Sequence, residues 1–342
     1  MKILLDGMGG DNAPLEIVKG AVAAADLIED EICIIGKQEE IREALSKQNY
    51  EGDKITICDA REVISMEDSP VRAVRVKKDS SIVKGINMVK SGEADLFVSA
   101  GNSGALMAGG LFILGRIPGI DRPAMASIYP ILGKEAALLI DAGANAECKP
   151  ENLLEFGIMG SVYMDKVVNR HNPKVGLVNI GVEENKGSTL TKAAFELFSR
   201  SRVNFVGNVE ARDVPKGVCD VIVCDGFVGN VILKLTEGLA WNILKLVKNR
   251  FTQGVRALMG AALLKNKLKE LKTEFDYSEY GGAPILGVKG PIVKMHGASD
   301  AKAVKNTIIK AIPFAREDVV SIIQNAVLDI EEIKSGEQQD IF

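Results

Sequence analysis

Eight short runs of this chain are largely apolar: residues 2–5, 32–36, 54–58, 95–100, 136–140, 174–180, 203–206 and 218–224. Many are continuously so, as strands buried on both faces are, whereas a strand with one wet face alternates apolar and polar residues. Helical patterns separate them at residues 14–29, 38–48, 81–91, 103–115, 150–169, 189–201, 229–250 and 299–326. In the last of these, Ala303, Ile308, Ala311 and Ile312 include neighbours at helical spacing, which marks a packed face. Strand-like runs alternating with helical patterns predict a doubly wound α/β protein with a mostly parallel sheet. The length of 342 residues permits one large domain or two lobes. No repeat or low-complexity linker divides it, so the expectation is a single domain over 1–342.

The turns at the carboxyl ends of the strands point to a site. Val218–Val223 runs into Asp225-Gly226-Phe227-Val228-Gly229-Asn230, with a helix predicted to begin near Val231. A helix start carries backbone N–H groups without internal partners and the positive end of the dipole, so glycines there let an oxyanion approach. A phosphate suits such a turn, which makes Asp225, Gly229 and Asn230 candidates. The same construction recurs at Gly101-Asn102-Ser103-Gly104, at Asp6 to Pro14, at Asp141 to Asn145 and at Gly181 to Gly187. Ligands of open α/β sheets bind outside the carboxyl ends of the strands, so five such turns predict one large polar crevice. Each turn taken alone is equally well explained as a tight βα connection.

Composition excludes several classes. The chain is 46% hydrophobic and 26% charged with a formal net charge of -4, an ordinary soluble balance that argues against nucleic acid as the main partner. Met1-Lys2 enters a strand directly and no apolar run spans a bilayer, so a cytoplasmic protein is expected. Five cysteines, Cys33, Cys58, Cys148, Cys219 and Cys224, show no metal-ligand spacing. Cys148 lies in a polar turn without a histidine nearby in sequence, and all five read as structural.

Among residues able to do chemistry, Lys186 stands in the loop Glu183 to Gly187 at a strand's carboxyl end, where a point charge can bind phosphate or stabilise an oxyanion. Equally, it can be a solvated lysine near Glu184. Gly207 to Asp213 forms another polar turn, in which Arg212 either binds an anion or pairs with Glu210 or Asp213. His296 precedes Ser299-Asp300, which can cap the next helix; it is a candidate for proton transfer or for packing. His171 reads as a surface residue. Residues 251–273 combine Val255, Leu258, Met259, Ala262 and Leu263 at helical spacing with dense Lys and Arg. That pattern fits a projecting helical segment, packed on the body or a second subunit, or touching an anionic membrane.

Asp6-Gly7-Met8-Gly9-Gly10-Asp11, Ser99 to Ala105, Asp141 to Asn145, Gly207 to Asp213, Asp225 to Asn230 and Tyr277 to Ala283 together closely resemble the bacterial PlsX phosphate acyltransferase family. The resemblance runs over nearly the whole chain. It implies a three-layer α/β/α fold similar to the isopropylmalate and isocitrate dehydrogenases and the phosphotransacetylases. It implies fatty acyl transfer from acyl-acyl carrier protein to inorganic phosphate, giving acyl phosphate for phospholipid synthesis, without cofactor or metal. A homodimer is implied, peripherally attached to the inner face of the membrane through 251–273. Lys186 and Asn230 become the leading catalytic positions, and Asn102 with the amides of Gly101, Ser103 and Gly104 the phosphate ligands; His296 joins the substrate site with Asp225 and Gly229. Asn12 stands where the family often has histidine, which weakens any proton-transfer role there. A nicotinamide-dependent dehydrogenase shares the fold, but no dinucleotide fingerprint with a later acidic ribose ligand is present. A lipid-surface scaffold would leave the polar turns unused.

Overall fold

Side chains one residue apart on each central strand enter opposite apolar layers, which is the period-2 signature of a sheet buried on both faces. Ile3 and Leu5 of β1 (Lys2–Asp6) join one core cluster while Leu4 joins another, and Leu96 and Val98 of β4 (Leu96–Ser99) part from Phe97 in the same way. The computed structural model describes residues 1–131, 133–254 and 281–335, with scattered residues between 257 and 267, and side chains as far as residue 327. Its remaining described strands are β2 (Glu31–Gly36), β3 (Ile55–Asp59), β5 (Ala124–Tyr129), β6 (Ala137–Ile140), β7 (Val175–Asn179), β8 (Phe205–Glu210), β9 (Val221–Val223), β10 (Ala283–Leu286) and β11 (Ile292–Lys294). They form one sheet in the order β3-β2-β1-β4-β11-β10-β5-β6-β9-β7-β8. The pairs β11/β10, β10/β5 and β5/β6 are antiparallel and the others parallel, so the predicted mostly parallel α/β sheet is present.

One face carries α1 (Leu15–Ala25), α6 (Pro150–Lys166), α7 (Thr189–Arg200), α9 (Ala301–Arg316) and α10 (Val319–Ser335). The other carries α3 (Pro70–Val76), α4 (Ser81–Ser91) and α5 (Ser103–Gly109). The two remaining helices are α2 (Gln38–Ser46), beside β3, and α8 (Gly226–Phe251), whose first turns lie over β6 and β9. Helix starts follow local chemistry: the side chains of Ser80, Asn102, Ser188, Asp225 and Asp300 each accept an N–H of the first turn, and Pro70 and Pro150 occupy first positions where no donor is lost.

Several expectations need correction. The sequence pattern does not reveal β5, β10 and β11, partly because Pro284 breaks the strand pattern of β10. The ladder from β10 to β5 starts at Ile285, so the missing N–H of Pro284 removes no bond on that side. The predicted helix 299–326 is two helices, with Asp318 at φ +46 between them. The helix 103–115 changes to a wider π-turn at Gly110–Leu114. β8 runs through Gly207 to Glu210, so most of that expected polar turn is strand. Finally, α8 starts at Gly226 rather than near Val231, and Asp225 to Asn230 is its cap and first turn. The predicted segment 251–273 and the motif Tyr277 to Ala283 lie largely outside the described residues.

Candidate active site

Three strand ends meet on one side of the sheet centre. Asp6, at the end of β1, is fully buried and accepts from Ser99 Oγ at 2.6 Å, and that hydroxyl in turn accepts from Gly101 N at 2.9 Å. Burial pushes the Asp6 carboxyl above the usual carboxylate range, against the lowering effect of its serine partners. A Cβ on Gly9 would fall 2.5 Å from Gly101 N, so the β1 and β4 turns approach as closely as only glycine allows. From the same first turn, Asp11 N donates to Gly297 O at 2.8 Å, and Asn12 Nδ2 to Ala298 O and Ser299 O at 3.3 and 3.2 Å. Asn12 therefore ties the β1 turn to the one after β11.

Opposite, Asp141 at the end of β6 organises the other wall. Its buried carboxylate accepts from the backbone N–H groups of Met125, Gly143, Ala144 and Asn145 at 2.6–3.1 Å, and from Asn145 Nδ2 at 2.9 Å. Gly226 N donates to Asn145 O at 2.7 Å, which docks the start of α8 on this turn. At Gly229 a Cβ would lie 1.9 Å from Asp141 O, so backbone meets backbone there. Asn230 comes next and packs over Gly143. Two walls built on distant strands thus face each other across β10 and β5.

The cleft between them, about 370 Å³, is lined by Ser103, Gly143, Asn230, Lys234, Lys294 and His296 among others. Lys294 is the unexpected member. Its Nζ is buried, donates to Ala100 O at 3.2 Å and to Met295 O, and burial lowers its pKa to about 8, opposed by the charge of Asp6. Two carbonyls leave one of three ammonium donors for a ligand. Burial, reinforced by Lys234, also lowers the pKa of His296, whose Nδ1 accepts from Ala298 N at 3.2 Å. The imidazole is accordingly held neutral at pH 7. Lys234 pairs with Glu237 at 2.9 Å along the rim. A charged lysine in an apolar strand directly before a glycine turn is a readable signal for Lys294; Lys234, on a helix face, offers none.

The sequence candidates divide clearly. Ser103, Asn230 and His296 come together in the cleft. Gly101 is buried behind it, and Gly104 meets Pro70 on one side and an adjoining groove on the other. Asn102 is occupied: Oδ1 caps α5 through Ala105 N at 3.0 Å, and Nδ2 reaches Ser65 O, Met66 O and Asp68 O at 3.0–3.4 Å. Its amide places the turn. Asp225 Oδ1 accepts from Val228 N at 2.9 Å, so a carboxylate already sits at the helix start where an anion was expected. Asp225 and Gly229 thus hold Asn230 in place, and only Asn230 of that turn lines the cleft. Lys186 is exposed on the loop after β7 and lines neither the cleft nor the adjoining groove. Of the two alternatives for Arg212, the structure shows pairing, with Glu210 at 2.7 Å. His171 is exposed beside Asp165. Burial, with Asp141 and Asp225 nearby, pushes the Cys148 thiol up to about 12, and Cys219 and Cys224 are raised too.

Comparison with known proteins identifies the family and the fold. Residues 1–322 match the model of the family described as fatty acid synthesis protein. A phosphate acyltransferase of Alkaliphilus oremlandii is 54% identical over 96% of this chain and 97% of its own length, and one of Clostridium tetani 52% over 97% and 99%. At the level of fold alone, a phosphotransacetylase from Streptococcus pyogenes superposes with a TM-score of 0.62 at 18% identity, covering 93% of this chain and 94% of its own. Near-complete coverage at such identity leaves one assignment: the chain belongs to the fatty acid synthesis protein family, as a phosphate acyltransferase.

Proposed function

We propose that this enzyme transfers a fatty acyl group from acyl-acyl carrier protein to inorganic phosphate, releasing acyl phosphate for phospholipid synthesis. The observation that carries the reading is the cleft itself, in which Lys294, Lys234, Ser103 and Asn230 converge without a reactive thiol. Phosphate is already an anionic nucleophile near neutral pH, so no covalent enzyme intermediate is required. One phosphate oxygen attacks the thioester carbonyl carbon, the tetrahedral oxyanion collapses, and the C–S bond breaks to release the carrier thiolate. The enzyme must hold the two substrates together and stabilise the oxyanion. Lys294 and Ser103 bind phosphate, and the Asn230 amide, braced by Gly143, donates to the developing charge. Lys186 does not line the cleft, so a role at the oxyanion or the phosphate requires the exposed loop after β7 to reach in from outside. His296 stays neutral and contacts substrate. Cys148, held protonated, is a poor nucleophile and fits this direct route.

The whole chain acts as one catalytic unit, and two further assignments go with it. Phe227, Val231, Leu235, Leu239, Ile243 and Leu246 recur every three or four residues along α8 and all are exposed, a stripe suited to the same helix of a second copy. Among the described residues no helix is long and apolar enough to cross a membrane. Met259 and Leu263 are exposed within the basic segment 251–273, which supports a peripheral contact at the inner face of the cell membrane. The test of the reaction is direct: incubate the protein with acyl-acyl carrier protein and phosphate and trap acyl phosphate with hydroxylamine. Phosphate-dependent acyl hydroxamate is expected. Its absence, with NAD(P) reduction on a hydroxyacid, would replace the reading with a dehydrogenase.

A further inference from the structure

A second cavity of about 790 Å³ opens beside the cleft and shares Ser103, Met125 and Gly143 with it. Its wall on the helix side is Met107, Ala108, Leu111 and Phe112, with Val71 of α3 across from them. Arg116, Asp121 and Arg122 also border it and are exposed, and Arg116 is paired with Asp121 at 3.2 Å. The long wall is thus apolar and the charges are solvated. We infer that this groove receives the acyl chain of the thioester donor, an inference that rests on the acyl transfer proposed above.

Three observations argue for a chain rather than another occupant. First, the groove joins the polar cleft at Ser103 and Gly143, next to Asn230, so a thioester carbonyl placed at the junction leaves its chain one apolar direction to run. Second, α5 widens into the π-turn Gly110–Leu114 at this wall, and Phe112 on that turn is 56% exposed, with the Arg75 guanidinium 5.9 Å from its ring centroid. π-turns interrupt helices mostly where function demands it, and Phe112 lines the groove while much of its surface is still open. Third, two methionines line the groove, Met107 on the helix wall and Met125 where the groove meets the cleft, and they adapt to a flexible ligand better than branched side chains do. The volume lies within the range of ligand pockets. A chain buried here also holds the carbonyl near Asn230, so the groove contributes orientation as well as affinity.

The test compares wild type with Leu111→Trp, which fills the groove, and with Phe112→Lys, which places a charge in it at an exposed position. Acyl hydroxamate formation is followed with butyryl, octanoyl and palmitoyl thioesters of acyl carrier protein, after circular dichroism confirms folding. The expected result is at least a tenfold fall in kcat/KM for palmitoyl, with butyryl within about twofold of wild type. Equal losses at every chain length, or an unchanged profile in both folded variants, overturns the groove while leaving acyl transfer standing. If wild type transfers no chain at all, the acyl-transfer reading itself fails and the groove with it. A change of mass by light scattering in the variants, without a change in chain-length profile, assigns the groove to a second copy instead and also overturns the inference.

Discussion

Two side chains at the cleft carry different predictions, Asn230 for turnover and Lys294 for phosphate binding. Asn230 is held by backbone contacts at Gly229 and Gly143, so Asn230→Ala removes a placed donor and little else. Turnover should fall about 10²–10³-fold with the melting temperature nearly unchanged, and Lys186→Ala should match it if the exposed loop does reach the reacting group. Near-normal turnover in both folded variants would reassign the oxyanion site. Lys294 is a buried charge: replacing it removes the cost of burying that charge but leaves Ala100 O and Met295 O without their donor. For Lys294→Met the expected outcome is a phosphate KM raised about 10–100-fold, the equivalent of one lost charge-assisted hydrogen bond, in a protein that circular dichroism shows to be folded. Its pKa of about 8 adds a pH signature. Below pH 8 the ammonium is charged and phosphate affinity is full; above it the charge is lost and the wild-type KM for phosphate should climb, a slope absent from the variant. Stability moves the other way. The unfolded lysine keeps its proton to about 10.5, so the unfolded chain binds more protons between pH 8 and 10.5 and folding gains as pH rises.

At the level of elements, α8 links the cleft to the molecular surface. Its first turn is docked by Gly226 and Gly229 on the Asp141 turn, and beyond that its apolar stripe is exposed among the described residues. Leu235→Glu with Leu239→Glu should therefore shift the mass measured by light scattering from dimer to monomer while circular dichroism stays that of a folded α/β protein. A dimer of unchanged mass would remove α8 from the interface. The sequence pattern places the start of this helix too late because Gly226-Phe227-Val228-Gly229 looks like a loop: two glycines in four residues lower helix propensity. Packing against Asp141 outweighs that propensity, since any side chain at Gly229 would overlap the carbonyl. At 299–326 propensity also fails to place the break: Pro313 lies inside α9, and the chain turns only at Asp318.

For the whole molecule, a product with a long acyl chain favours release at a membrane rather than into water. Met259 and Leu263 are exposed in a segment rich in Lys and Arg, and each apolar contact and each basic residue near anionic lipid contributes modestly. Met259→Glu with Leu263→Glu should reduce recovery on anionic liposomes in a sedimentation assay, more so at raised salt, while acyl transfer in solution continues. Loss of dimer mass with unchanged lipid recovery would mark the segment as a subunit contact.

The layered α/β architecture was legible in the chain because burial on both faces is written residue by residue as unbroken apolar runs. So was the meeting of the turns on one side of the sheet, since turns at the carboxyl ends of parallel strands converge in any such sheet. Which residue in each turn faces the ligand was decided only in three dimensions. Asn102 and Asp225 sit in phosphate-like turns, yet their polar atoms are spent on Ala105, Ser65 and Val228. Gly9, Gly101 and Gly229 are glycines because Gly101, Asp6 and Asp141, respectively, press against them from distant parts of the chain. Lys294 owes its lowered pKa to burial on β11 between β4 and β10, strands nearly two hundred residues apart in sequence. These choices depend on what lies across a gap from each residue, and the neighbour across that gap is set by the sheet order rather than by the local sequence.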